Sequence, residues 1–276
     1  MTTLNDLHSI SSMFSNTDKM PVLFLGHGSP MNAIEENQFV AGFRNLAKTL
    51  PQPNAILCIS AHWFTNGTKV TSMQMPRTIH DFGGFPQALF DVQYPAKGSP
   101  ELAHETKKIL EPVPVDLDEH WGLDHGAWSV IKHLYPEANV PVIQLSIDYT
   151  KSGQYHFELA QKLQSLRHKG VLIIGSGNIV HNLRMVDFRN FDKDNYGYDW
   201  AIEARETINS YLLEDNFQPL IDFEKMNKAV QLAIPTPDHY LPLLYTLGLK
   251  EKSEELSLFN DKLLAGSLSM TSVKIM

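Results

Sequence analysis

Five short apolar runs recur along the chain: VLFLG at 22–26, AILCIS at 55–60, KVTSMQM at 69–75, VPVIQLSI at 140–147 and VLIIGSG at 171–177. Most are near-continuous rather than alternating, the pattern of central strands covered on both faces. Amphipathic stretches of helix length lie between and after them, at 35–49, 100–110, 126–135, 154–168 and 199–213. The second is announced by Ser99-Pro100-Glu101, which reads as cap, first-turn proline and first-turn acid. Strands alternating with helices predict an α/β sandwich around a largely parallel sheet. The tail, LSLFNDKLLAGSLSMTSVKIM, returns to strand-like alternation and suits an antiparallel edge. In such sheets ligands collect at the carboxyl ends of the strands, so the residues just past each apolar run are the ones to read.

Bulk composition narrows the function classes. The 276 residues show no repeat and no linker-like tract, and 43% hydrophobic with 20% charged residues is ordinary for a globular domain. Basic minus acidic residues is 23 minus 31, or −8, which argues against nucleic acid or an anionic membrane as partner. No stretch approaches the roughly 20 apolar residues of a membrane span. Residues 1–19 read as a polar leader without the plan of a signal peptide, and 20–276 as the folded domain. The lone cysteine, Cys58, sits in an apolar run, so neither an intrachain disulfide nor a cysteine-based zinc site is available, and a cytoplasmic home is expected. No heptad or apolar stripe predicts an oligomeric state.

Histidine is the unusual count, at 12. His27, His62 and His181 stand just past the ends of three predicted strands, in FLGHGSP, CISAHWF and GSGNIVHNL. His239, in PTPDHYLPLL, is expected in the first turn of a helix started by Pro235 and Pro237. His125 and His80 lie in glycine-bearing loops, WGLDHGAW and TIHDFGGFP. His8, His104, His133, His156 and His168 fall in the leader or on helical stretches and read as surface or packing residues. Imidazole is a common ligand for zinc and a good one for iron, and a catalytic mononuclear site needs three ligands with positions left open. The candidates exceed three, so some are free to move protons instead. GSGNIV places Val180 where a dinucleotide fingerprint needs a small residue, and GHGSP lacks a serine nucleophile elbow.

LGHGSPMN, SAHWF, TIHDFGGFPQALFDVQYPAKGSP, WGLDHGAWSVI, VPVIQLSI, GSGNIVHNL, PTPDHYLPLLYTLG and GSLSMTSV together resemble, in order and spacing, the DODA-type extradiol ring-opening dioxygenases of the LigB-like (class III) family. The likeness runs from about residue 20 to the C-terminus. It implies a single-domain, three-layer α/β/α sandwich with a mixed, largely parallel sheet. It also implies one divalent metal per chain, with Fe(II) for the dioxygenase and Zn(II) plausible in purified protein. The implied reaction opens the ring of a catechol such as DOPA with O₂, giving a muconic semialdehyde. His27, His62 and His239 match the family's metal positions, with an imidazole at the third where the wider group has glutamate. His181 matches the general base and a fourth ligand, and His125 a proton-handling pocket residue. His80, Phe82 and Phe85 are placed around the substrate ring. Asp238, beside His239, reads either as an acceptor orienting that ring or as the first-turn acid a helix dipole favours. A neutral histidine site also suits zinc, which has no redox change to offer. A zinc hydrolase on this scaffold, or a non-catalytic Memo-type binding protein, therefore stays open as an alternative.

Overall fold

The computed structural model describes residues 18–191 and 193–276. The expected leader, up to residue 17, and His8 lie outside the described residues. In chain order the elements that carry the argument are β1 (Val22–Gly26), α1 (Gln38–Ala47), β2 (Ala55–Ser60), β3 (Thr68–Thr71), α2 (Pro100–Leu110), β4 (Val115–Asp118) and α3 (His125–Leu134). They continue with β5 (Val142–Gln144), α4 (Gly153–Lys162), β6 (Val171–Gly177), α5 (Asp199–Leu213), α6 (Leu241–Gly248), β7 (Leu256–Phe259) and β8 (Ser272–Ile275).

One six-stranded sheet runs in the order β5-β2-β6-β1-β8-β7. The first four strands are mutually parallel, and β8 and β7 close the far edge antiparallel. The tail thus supplies the antiparallel edge its alternation suggested. Register is set by pairs such as Val22 with Ile173 and Ala55 with Val171. Successive side chains of a strand point to opposite faces. Phe24, Leu57 and Ile173 accordingly enter one core with Leu159, Ile208 and Leu244, while Leu25, Cys58 and Ile174 enter the other with Phe43, Trp128 and Ile131. One face is thus covered by α4, α5 and α6 and the other by α1 and α3, which is why these strands read as unbroken apolar runs. Each fully buried aliphatic side chain contributes roughly 1.5–3 kcal/mol, so the two cores are the main stabilising term.

Two of the predicted strands differ from expectation. KVTSMQM ends as a strand at Thr71, and as β3 it pairs in parallel with β4 in a separate two-stranded sheet; Met75 is exposed. VPVIQLSI divides after Gln144: the Leu145 N–H still bonds the Cys58 carbonyl, but Ser146 turns to Lys69 and Ile147 to Trp63. The chain leaves the sheet there by changing backbone partners, which hydrophobicity does not encode. β4 itself was not foreseen, because VDLD buries only Val115 and carries two acids.

Away from the strand ends, Arg167 is wholly buried. Its guanidinium donates to the carbonyls of Met20 at 2.8 Å and Leu249 at 2.7 Å, and forks onto Glu254. This pair ties Met20, two residues before β1, to the segment after α6. No helix among the described residues is long and apolar enough to cross a membrane.

Candidate active site

His27 follows β1 directly. Its N–H extends the ladder to the Gly177 carbonyl at 3.0 Å, and the chain then bends at Gly28, whose φ is +61°. A Cβ at Gly28 would also lie 2.3 Å from Met270 Sδ, so the elbow requires glycine. His62 stands two residues past β2, where its N–H meets Ser60 Oγ. His181 follows β6 by four residues, held by its N–H to the Ala233 carbonyl. His125 is the first residue of α3, which Asp124 caps.

His239 arrives differently from expectation. Pro237 accepts from the N–H groups of Tyr240 and Leu241, closing a turn ahead of α6, so His239 precedes that helix rather than sitting in its first turn. The turn is pressed against the end of β6: the Asn178 N–H bonds the His239 carbonyl at 2.9 Å, and a Cβ on Gly177 would stand 2.1 Å from that oxygen.

Five imidazoles converge. His27 is centred 5.1 Å from His62, 5.2 Å from His239 and 5.8 Å from His125. His62 is 5.0 Å from His239 and 3.8 Å from His125, and His181 stacks on His239 at 3.5 Å and 12°. One ring nitrogen from each of His27, His62 and His125 lies within 4.8 Å of the others, and His181, Asp238 and His239 form a second such group.

The outer nitrogens explain how the rings are aimed. Ser176 Oγ donates to the Gly126 carbonyl at 2.5 Å, so towards His27 Nδ1, 3.0 Å away, it presents a lone pair. His27 therefore carries its proton on Nδ1. His239 Nδ1 donates to Asp238 Oδ2 in the same way. His62 Nδ1 faces Asp81 Oδ2 at 3.5 Å. With protons turned outward, the lone pairs of the Nε2 atoms face inward, an arrangement typical of metal-binding histidine.

The distance between His27 Nε2 and His62 Nε2 is 3.3 Å. Two nitrogens bound at about 2.1 Å to one ion would be separated by roughly 3.0–3.4 Å for angles from right to tetrahedral. His27 and His62 are thus spaced to share a divalent ion, while the third expected ligand, His239, groups with His181 and Asp238.

Asp81 ties the neighbourhood together. Its Oδ1 accepts from the His125 backbone N–H at 2.9 Å and lies 3.0 Å from His125 Nδ1, but off that ring's N–H direction, so the imidazole is oriented by charge rather than by an aligned hydrogen bond. Burial opposes its ionisation, but the His125 and His62 groups outweigh this and hold the carboxyl below its usual range. Burial lowers His27 well below the ordinary histidine range, with repulsion from His62 and His239 adding to it; burial and His125 do the same to His62. Burial and His239 push His181 down to about 3. These rings are neutral at pH 7, as metal ligands must be. Asp124, fully buried, is pushed upward by burial and Asp81, and its oxygens are occupied by Ser60, Gln144, Trp121 and Ala127.

The imidazoles line the floor of a cavity of about 610 Å³, which contains His27, His62, His125, His181 and His239 together. Phe82 and Phe85 form part of its wall, packed edge to face at 5.5 Å. His80 does not line it: its Nε2 lies 2.9 Å from the Val92 carbonyl, and its ring packs against Phe82, Phe90 and Trp128. His133 and His156 are buried packing residues bonded to Asn32 and Tyr245. Sequence reasoning passed over Asp81, Ser176 and Glu35. Only Asp81 carried a signal, as an acid beside His80 in a glycine-bearing loop.

Comparisons with known proteins agree with this geometry. Residues 21–267 match the family described as the catalytic LigB subunit of aromatic ring-opening dioxygenase. The chain is 46% identical to the 4,5-DOPA dioxygenase extradiol of Escherichia coli (strain K12) over 270 residues, covering 96% of this chain and 98% of that protein. It is 33% identical to the protein of the same name from Beta vulgaris, covering 95% and 98%. A crystal structure of an uncharacterized protein from Escherichia coli K12 superposes with a TM-score of 0.80 at 43% identity, covering 94% of this chain and all of that one. A match over nearly the whole domain, with a histidine-lined cavity at the strand ends, leaves one assignment: the chain belongs to the LigB family of metal-dependent, aromatic ring-opening dioxygenases.

Proposed function

We propose that this protein is an extradiol dioxygenase that opens the ring of a catechol such as DOPA with O₂, giving a muconic semialdehyde of the 4,5-seco type. The observation that carries the reading is the 3.3 Å approach of two imidazole nitrogens, with protons tied outward, on the floor of a substrate-sized cavity. His27, His62 and His239 would hold one divalent ion. Fe(II) is the ion this chemistry needs, because it supplies the one-electron changes that let O₂ react with a diol and zinc does not.

The protein's own groups then have distinct tasks. Burial, with His239 stacked on it, keeps His181 neutral, so its lone pair is available to an ion or to a catechol proton. His125, beside Asp81 and His62 in the cavity, would handle the proton on the dioxygen or the ring hydroxyl. Phe82 and Phe85 flank the ring and exclude water, while His80 braces Phe82 from behind rather than meeting substrate. The catalytic domain spans 20–276, and a cytoplasmic location fits a lone buried cysteine. The hydrolase alternative needs a free carboxylate base, whereas the acid beside the imidazoles, Asp81, is engaged by His125 and His62.

The test is anaerobic loading with Fe(II), then DOPA, then air. A yellow semialdehyde with one O₂ consumed per ring opened is the expected result. Failure across several catechols, with iron confirmed in place by elemental analysis, refutes the proposal.

A further inference from the structure

The outer half of the cavity has a chemistry that the ring-opening reaction does not require. Its wall is built by Met31, Leu183, Val186, Phe188, Phe191 and Leu268, of which Leu183 and Phe188 are 63% and 78% exposed. No lysine or arginine is among the described residues that line it. Arg184 and Arg189 alternate with these wall residues in the chain and are exposed, but neither lines the cavity; Arg44 forks onto Glu36 at 2.6 and 2.7 Å, Lys132 caps the Ala33 carbonyl, and Lys262 pairs with Asp194. Two acids line the cavity: Asp81, engaged by His62 and His125, and Glu35, exposed and with no ion pair among the described residues. Its backbone is anchored by its N–H to the Met31 carbonyl at 3.0 Å, so its position is fixed relative to the His27 elbow.

We propose, resting on the reading above, that this site selects catechols whose ring substituent is uncharged or ends in an ammonium, and discriminates against those ending in a carboxylate. A carboxylate carried into an apolar wall without a cation loses hydration and gains no partner. At the mouth it also meets Glu35, and the net charge of −8 repels anions at longer range. An ammonium group on a two-carbon arm reverses the sign at Glu35 while its methylenes lie on the apolar wall. DOPA, which carries both charges, belongs between the two extremes.

The experiment uses the full chain loaded with Fe(II) and four substrates sharing one ring: dopamine, 4-ethylcatechol, DOPA and 3-(3,4-dihydroxyphenyl)propionate. Product absorbance and O₂ uptake give kcat and KM for each. The carboxylate is expected to fall at least about tenfold below 4-ethylcatechol in kcat/KM, mostly through KM. Dopamine is expected to exceed 4-ethylcatechol, and Glu35→Gln to shrink that ratio by about two- to fivefold, the range of an exposed ion pair. Glu35→Lys should turn the order of amine and carboxylate around. A carboxylate that matches or outperforms 4-ethylcatechol, or an amine-to-neutral ratio unmoved by Glu35→Gln, overturns the inference while the dioxygenase reading stands. Turnover of none of the four, with iron verified, overturns both.

Discussion

Replacing Asp81 by asparagine tests how the metal site is aimed. Asp81 Oδ1 accepts from the His125 N–H at 2.9 Å, and Oδ2 faces His62 Nδ1 at 3.5 Å. In Asp81→Asn one of these oxygens becomes an NH₂ group. If the amide oxygen keeps the His125 bond, the NH₂ meets the Nδ1–H of His62, and that ring escapes only by moving its proton to Nε2. Nε2 is the atom that faces His27 Nε2 at 3.3 Å, so His62 is lost as a ligand. If the amide turns over, the NH₂ meets the His125 N–H and a buried backbone donor is left unpaired, at a cost of roughly 1–3 kcal/mol. Disturbing an acceptor of this kind typically lowers metal affinity about 10- to 100-fold, or ~1.4–2.8 kcal/mol, and the long 3.5 Å contact places Asp81→Asn near tenfold. Asp81→Ala removes the acceptor without installing a donor, so His62 keeps its choice of tautomer and the loss should be smaller. Anaerobic titration of metal-free protein with Co(II) against a competing chelator measures both. An asparagine variant that binds as tightly as the parent, or more tightly than the alanine variant, refutes the tautomer argument.

Other perturbations follow from the same geometry. Ser176→Ala removes the acceptor for His27 Nδ1–H and should cost about tenfold in Co(II) affinity in the same titration. Gly177→Ala forces a Cβ towards the His239 carbonyl, 2.1 Å away, and should lower stability by roughly 1–3 kcal/mol while displacing His239; denaturation and metal titration report the two effects separately. Arg167→Met leaves Glu254 buried without its guanidinium and should destabilise by about 3–5 kcal/mol in urea. Burial opposes ionisation of Glu254, but Arg167, the Glu251 N–H and Lys19 prevail and hold it at about 2 against an ordinary 4.5. The unfolded chain thus takes up the proton first as pH falls. The associated stability, about 3 kcal/mol, is complete above pH 4.5 and drains away towards pH 2. Urea curves at pH 7, 4 and 3 should show a steeper acid loss for the parent than for Glu254→Gln.

Much of the architecture was legible because it rests on period and length. Unbroken apolar runs can be satisfied only between two layers, so β1, β2 and β6 were identifiable without any contact information, and Ser99-Pro100-Glu101 placed the start of α2. The histidines could be sorted because a strand end is a position readable from one run of residues. β3 and the second half of VPVIQLSI were not legible in the same sense: where a strand leaves one sheet for another partner depends on which carbonyls are vacant nearby. His80 shows the limit on the site, since a loop histidine looks the same whether it faces a cavity or the Val92 carbonyl.

Taken alone, the sequence determined the α/β class, the family likeness and four strand-end or turn histidines suited to a shared ion, because residue type and spacing act locally. Only the tertiary structure decided which nitrogen of each ring faces inward, that Asp81 and Ser176 control that choice, and that Glu35 lines the cavity while no lysine or arginine among the described residues does. Those properties depend on atoms brought within about 3 Å from as far as 149 positions apart, as Ser176 is from His27, and hydrogen-bond direction at that range is written in no single stretch of chain.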